Sequence, residues 1–242
     1  MSRPPRSVVI GNVATDKQQN IIDYLAGFIN EERRERLRKI LGQRTRHITV
    51  VLEDIYQSQN ASAVVRTCEC LGIQELHVIE NRHEYRLNPA VVQGASKWVD
   101  LVKHNRPEQD NTRACIEKLK QRGYRIIAMD PAPEGKSVEQ LDISDKLALC
   151  FGSEEPGLSA TLQALADEAV RIPIHGFTRS YNLSVSAGIS LYTLVSTLRN
   201  SSVNWQLDER DATDLYIKWL AQSTPSGQSL LESYLKQPES LP

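Results

Sequence analysis

The chain has 242 residues, 40% of them hydrophobic and 24% charged, with a formal net charge of −1. That is room for one large domain with extensions, and the composition excludes a disordered chain. No apolar run approaches the ~20 residues that span a bilayer, which excludes an integral helical membrane protein. The opening stretch, MSRPPRSVVIGNVATDKQQN, has only a short apolar patch and is not expected to act as a secretory signal. Cys68, Cys70, Cys115 and Cys150 show no C-x-x-C spacing. Reduced thiols in a cytoplasmic protein are the expectation.

The neutral total conceals a segregation of charge. Residues 31–46 carry Arg33, Arg34, Arg36, Arg38, Lys39, Arg44 and Arg46 against three glutamates, a local balance of +4. Residues 207–242 carry six acids against three bases, a balance of −3. Such a stretch is either a basic face for a polyanion or a solvated helix laced by i,i+4 pairs.

In chain order, residues 16–42 read as two helices, with Leu25, Phe28 and Ile29 and then Leu37, Ile40 and Leu41 at helical spacing. ITVVLEDI (48–55) is a buried strand, 60–71 a helix stopped by Gly72, and ELHVIE (75–80) a strand. A helix over 111–123 precedes strands at 124–130 and 146–152. A short helix at 158–165, a strand at 169–174 and a long apolar helix at 183–198 follow. The tail holds helices near 208–221 and 229–236, joined by the linker STPSGQS (223–229). The apolar stripe of the first, Leu215, Trp219 and Leu220, reads as packing or a dimer contact. Strands alternating with helices over 48–199 predict an α/β fold, a parallel sheet flanked by helices. Ligands of such sheets lie beyond the carboxyl ends of the strands. The informative loops are therefore EDIYQSQN, MDPAPEG, GSEEPG and HGFTRSYN.

Several chemistries are excluded by pattern. There is no G-x-G-x-x-G after the first sheet strand, no P-loop and no G-x-S-x-G elbow. The five histidines show no metal-ligand spacing, so no metal site is expected. Polar residues at strand ends remain. Asn60 and Arg66 lie six residues apart at the start of a helix, about 120° apart around its axis, so no direct pair is implied. Arg66 sits in the mostly apolar ASAVVRTCECLG and needs a carboxylate or phosphate, unless it makes a structural ion pair. In FGSEEPGLS, Gly152 permits close backbone approach and Glu154 projects from the sheet edge; alternatively the segment is a turn capping the next helix. Ser180 and Asn182 precede the buried helix, and an N-cap explains only one of them.

N-x5-R after a strand, then FGSEEPGLS, then RIPI-x6-SYNLSVSAG, with GASKWVDL between, resemble in order and spacing the motifs of the SpoU/TrmH family of RNA 2′-O-methyltransferases in the SPOUT superfamily. The match spans about residues 48–199, and the helical extensions resemble those of the tRNA guanosine branch. The resemblance implies a deep C-terminal trefoil knot, S-adenosyl-L-methionine as cofactor, and a homodimer whose active sites use both subunits. It implies three segments: a basic, RNA-binding helical extension (1–46), a SPOUT domain (47–200) and a C-terminal helical extension (201–242). Carried over by position, Arg66 matches the arginine thought to act on the 2′-hydroxyl, supported by Asn60, with Glu154, Ser180 and Asn182 as the polar residues of the later motifs. Met129, Gly152, Ile172 and Tyr181 match cofactor contacts, and the basic residues from Arg33 to Arg46 would track RNA phosphates. Tyr181 replaces a common leucine, and Gln59 stands where some tRNA enzymes have histidine.

The implied activity is 2′-O-methylation of a tRNA ribose, with a D-loop guanosine foremost. Ribosomal RNA or another tRNA position is the nearest alternative, and a catalytically silent dimeric RNA-binding protein the alternative of a different class. Arg66 is either a general base, awkward for a group with a pKa above ~12, or an electrostatic clamp on phosphate and developing alkoxide.

Overall fold

A computed structural model describes residues 15–131 and 136–236. The chain divides into two compact units, one built from residues 1–44 and 207–242, the other from 45–206. The expectations for residues 1–14, for part of MDPAPEG (132–135) and for the last six residues lie outside the described residues.

The larger unit is a seven-stranded parallel sheet. Its strands are β1 (Ile48–Glu53), β2 (Glu75–Ile79), β3 (Asp100–His104), β4 (Tyr124–Met129), β5 (Lys136–Ser137), β6 (Lys146–Phe151) and β7 (Glu168–Arg171), in the order β3-β2-β1-β6-β4-β7-β5. Every residue of β1 is buried, as expected of a β-branched run with both faces covered. Alternate side chains feed two cores. Val50, Leu52, Leu147 and Leu149 pack with α3 (Ser58–Leu71) and α7 (Leu183–Arg199). Val51, Ile126, Ala148 and Cys150 pack with α5 (Asn111–Gln121) and α6 (Ala160–Leu165). A single helical turn, α4 (Pro89–Val92), lies against α3.

Sequence patterning missed β3, because DLVKH alternates poorly and none of its residues is fully buried. It also ran β7 on through RIPI, whereas the strand ends at Arg171 and Ile172 to Asn182 form a loop. The helix expected from Leu158 starts at Ala160, capped by Ser159, whose Oγ accepts from the Leu162 N–H.

The smaller unit contains α1 (Thr15–Ala26), α2 (Glu31–Leu41), α8 (Glu209–Ser223) and α9 (Gly227–Lys236). Asn30 caps α2, with Glu31 and Glu32 in its first turn and Arg38 and Lys39 in its last, the arrangement its dipole favours. Trp219 is buried, and the Arg44 guanidinium lies 5.1 Å from its ring centre. The expected linker 223–229 is shorter than the pattern suggested, since α9 begins at Gly227.

Candidate active site

Chain order reverses in the sheet between β1 and β6, and the loops leaving β1, β6 and β7 meet beyond their carboxyl ends. There Asn60, in the first turn of α3, donates from Nδ2 to Glu154 Oε1 at 2.5 Å and to Gln57 Oε1 at 2.9 Å. Its Oδ1 accepts from Asn182 Nδ2 at 3.2 Å. Asn182 caps α7: its Oδ1 accepts from the Ser184 N–H at 2.9 Å and from Ser184 Oγ at 2.7 Å. With that oxygen committed to the helix, its amide nitrogen faces Asn60. Three residues far apart in sequence thus form one chain ending on a carboxylate. Asn60 is 8% exposed, so its satisfied hydrogen bonds hold an otherwise costly buried amide.

Beside this chain is a cleft of about 390 Å³. Met129, Gly152, Glu154, Ile172, Ser180 and Tyr181 all line it. The loop after β6 is shaped by two glycines. A Cβ on Gly152 would lie 2.3 Å from the Gly157 carbonyl carbon, and Gly157 has φ +84°, in the left-handed region. Tyr181 donates its hydroxyl to the Pro173 carbonyl at 3.3 Å, folding the post-β7 loop upon itself. Ser180 makes no hydrogen bond among the described residues.

Arg66 stands apart from this cluster within one chain. It is exposed, not buried in an apolar helix as the sequence implied, and is free of ion pairs among the described residues. It lines a separate depression of about 440 Å³ with Ala63, Cys70, Gly188 and Tyr192. The turn that separates Asn60 from Arg66 explains this, and on the neighbouring α7 Val185, Ile189 and Tyr192 form an exposed apolar stripe.

The basic segment is only partly a free face. Arg36 and Lys39 are exposed, as is Arg38, but Arg38 pairs with Glu31 at 3.4 Å, Arg34 pairs with the same Glu31 at 2.6 Å and Arg33 donates to Ser223 Oγ at 3.4 Å. Arg44 is 1% exposed beneath Trp219, and Arg46 pairs with Asp100 at 2.7 Å. Both guanidiniums are thus engaged within the fold, Arg44 by its ring contact and Arg46 by its ion pair.

Sequence reasoning missed Gln57, whose side-chain oxygen accepts from the Asn60 amide; as N-cap of α3 it makes no side-chain capping bond, so no capping signal marked it. It also missed that His77, His104 and Cys115 come within 4.8 Å of one another from β2, β3 and α5. His77 uses both ring nitrogens there, one with His104 at 3.0 Å and one with Glu75 at 2.9 Å. Arg122 completes this network at 2.6 Å from Glu75.

Comparison with known proteins finds close relatives over most of the chain. The tRNA (guanosine(18)-2′-O)-methyltransferase of Borreliella burgdorferi is 43% identical over 201 residues, covering 83% of this chain and 90% of that protein. The Aquifex aeolicus protein of the same name is 31% identical over 173 residues, covering 71% of this chain and 78% of the relative. The solved A. aeolicus TrmH/SpoU tRNA modifying enzyme superposes with a TM-score of 0.70 at 28% identity, over 80% of this chain and 97% of its own. Residues 47–192 match the SpoU rRNA Methylase family, more than half the chain, and this protein belongs to that family.

Proposed function

We propose that this protein methylates the ribose 2′-hydroxyl of guanosine 18 in tRNA with S-adenosyl-L-methionine, as a cytoplasmic homodimer. The observation that carries the reading is the Asn182–Asn60–Glu154 chain on the rim of the 390 Å³ cleft. No helix among the described residues is long and apolar enough to cross a membrane.

The cleft fits the cofactor. Its volume is in the range of small-molecule sites, Met129, Phe151, Ile172 and Leu183 give it apolar walls, and Glu154 offers a carboxylate to a cation. S-adenosyl-L-methionine, when bound, supplies an electrophilic methyl on a sulfonium, for which no metal is needed. The chain's own part is placement. Gly152 lets the backbone after β6 come close, and Asn60 fixes the Glu154 carboxylate at the cleft mouth. Ser180, with its hydroxyl uncommitted among the described residues, is placed to bond the ribose or its phosphate. Holding the hydroxyl oxygen ~3–3.5 Å from the methyl, in line with the sulfur, is the placement this transfer requires.

Arg66 enters from the second subunit. The α7 stripe of Val185, Ile189 and Tyr192 is the dimer contact, and pairing it brings Arg66 of each chain towards the cleft of the other. Arg66 there binds the substrate phosphate and stabilises the developing alkoxide. Residues 1–46 bind RNA through Arg33, Arg34, Arg36, Arg38 and Lys39, residues 47–200 form the SPOUT domain, and 201–242 the C-terminal extension. The trefoil knot is supported by β7: it lies between β4 and β5, and its chain passes from α6 on one face to α7 on the other.

The test is to incubate the protein with labelled S-adenosyl-L-methionine and unmodified tRNA, then map the methylated ribose. Label on guanosine 18 is expected. Label only on ribosomal RNA, or none, overturns the reading.

A further inference from the structure

Glu53 ends β1, where an apolar strand has no evident need of an acid. It is 2% exposed, and the three groups that bond its carboxylate among the described residues, from Thr112 and Ser159, are all neutral donors. Oε1 accepts from Thr112 Oγ1 at 2.5 Å and from Ser159 Oγ at 2.7 Å, and Oε2 accepts from the Ser159 N–H at 2.8 Å. Ser159 closes the loop that leaves β6 and caps α6. That loop begins at Gly152, which is pressed against Gly157, and carries Glu154 between the two. Residues 152–159 are therefore pinned at both ends, by backbone contact at one and by a buried carboxylate at the other. A carboxylate buried without a cation is expensive, and a fold that needed only packing would be served by an apolar residue here.

We propose that Glu53 is a positioning residue for cofactor binding: through Ser159 it fixes the 152–158 loop, and so sets Glu154 and the floor of the cleft. This rests on the reading of the cleft as an S-adenosyl-L-methionine site. Glu53 touches neither cofactor nor substrate and acts through the loop. Glutamine at this position keeps the size but turns an N–H₂ towards a donor, either Thr112 Oγ1 or Ser159. Its loss is felt at the loop, whereas loss of the Thr112 hydroxyl leaves both Ser159 bonds in place.

The test compares wild type, Glu53→Gln, Ser159→Ala and Thr112→Val. The readouts are cofactor titration by calorimetry, tRNA binding, kcat, thermal unfolding and amide exchange of residues 152–158. Glu53→Gln and Ser159→Ala are expected to weaken cofactor affinity roughly tenfold or more and to speed exchange of the loop, with tRNA binding unchanged. Thr112→Val is expected to lower the unfolding temperature while cofactor affinity stays at the wild-type value. Folded Glu53→Gln protein with wild-type cofactor affinity and loop exchange overturns the proposal alone. So does Thr112→Val weakening the cofactor as much as Glu53→Gln does, because Glu53 would then serve general stability. A wild type that binds no cofactor removes the reading of the cleft, and the proposal with it.

Discussion

The amide of Asn60 and the carboxylate of Glu154, 94 residues apart in sequence, are joined by a 2.5 Å hydrogen bond, and Asn60 is held in turn by Asn182. Replacing Asn60 by Asp sets a second carboxylate against the first. Like charges at that distance disfavour ionisation of both. Turnover at neutral pH should fall by about two orders of magnitude, with the larger loss at alkaline pH. Initial rates across a pH series, alongside Asn60→Ala, measure this.

Arg66 is exposed and free of ion pairs among the described residues, so its removal costs the fold little. Arg66→Ala should change stability by no more than about 0.5 kcal/mol. It should retain cofactor affinity yet lose about a hundredfold or more in turnover. Arg66→Lys should stay well below wild type, because a point charge does not replace a planar fork.

If the two subunits share each site, Arg66→Ala and Glu154→Gln are each inactive alone but complement one another. Random mixing after dissociation should restore roughly a quarter of wild-type activity, since half the dimers are mixed and each has one intact site. No recovery in a verified heterodimer removes Arg66 from the partner's site.

Gly152→Ala forces a methyl to within 2.3 Å of the Gly157 carbonyl carbon and 2.4 Å of the Leu158 nitrogen. Backbone cannot yield as a flexible side chain does. A loss of about 1–3 kcal/mol is expected, together with loss of cofactor binding. Denaturant unfolding and calorimetry read the two effects separately.

Acid should destabilise the β2–β3 edge. Burial, then the charge of His77 and Lys118, holds the His104 imidazole down at about 4 instead of 6.5. The unfolded chain thus takes up a proton that the folded chain refuses, and stability is lost as pH falls from 6.5 towards 4. For Glu75, burial alone would raise the carboxyl, but His77 and Arg122 together bring it down to about 2. Its contribution is present above 4.5 and disappears as pH falls towards 2. His104→Gln should flatten the upper part of the stability profile, measured by urea titration at successive pH values.

Much of this architecture could be read from side-chain periodicity. The strand runs ITVVLE and KLALCF and the helix stops at Gly42 and Gly72 carry strong local signals, and those elements lie close to where they were expected. β3 did not, because its alternation is weak and its position at the sheet edge is a matter of tertiary pairing. At the cleft, residue types at strand ends marked Glu154, Ser180 and Asn182, but the hydrogen-bond chain through Asn60 depends on how three loops close. Charge counting could not show that Arg44 lies against Trp219 and Arg46 against Asp100, since net charge carries no information about where a guanidinium is turned. Glu53 was not singled out in the sequence, because its partners come from α5 and from the cap of α6.

The smaller unit is made from the two ends of the chain, α1 and α2 packing with α8 and α9. Helical units usually assemble from neighbours in sequence, but here α1 meets α8 and α9 only across the whole sequence of the intervening sheet unit. The loop-closure cost of that pairing falls on the helices, so removing α8 should unfold α1 and α2 with it.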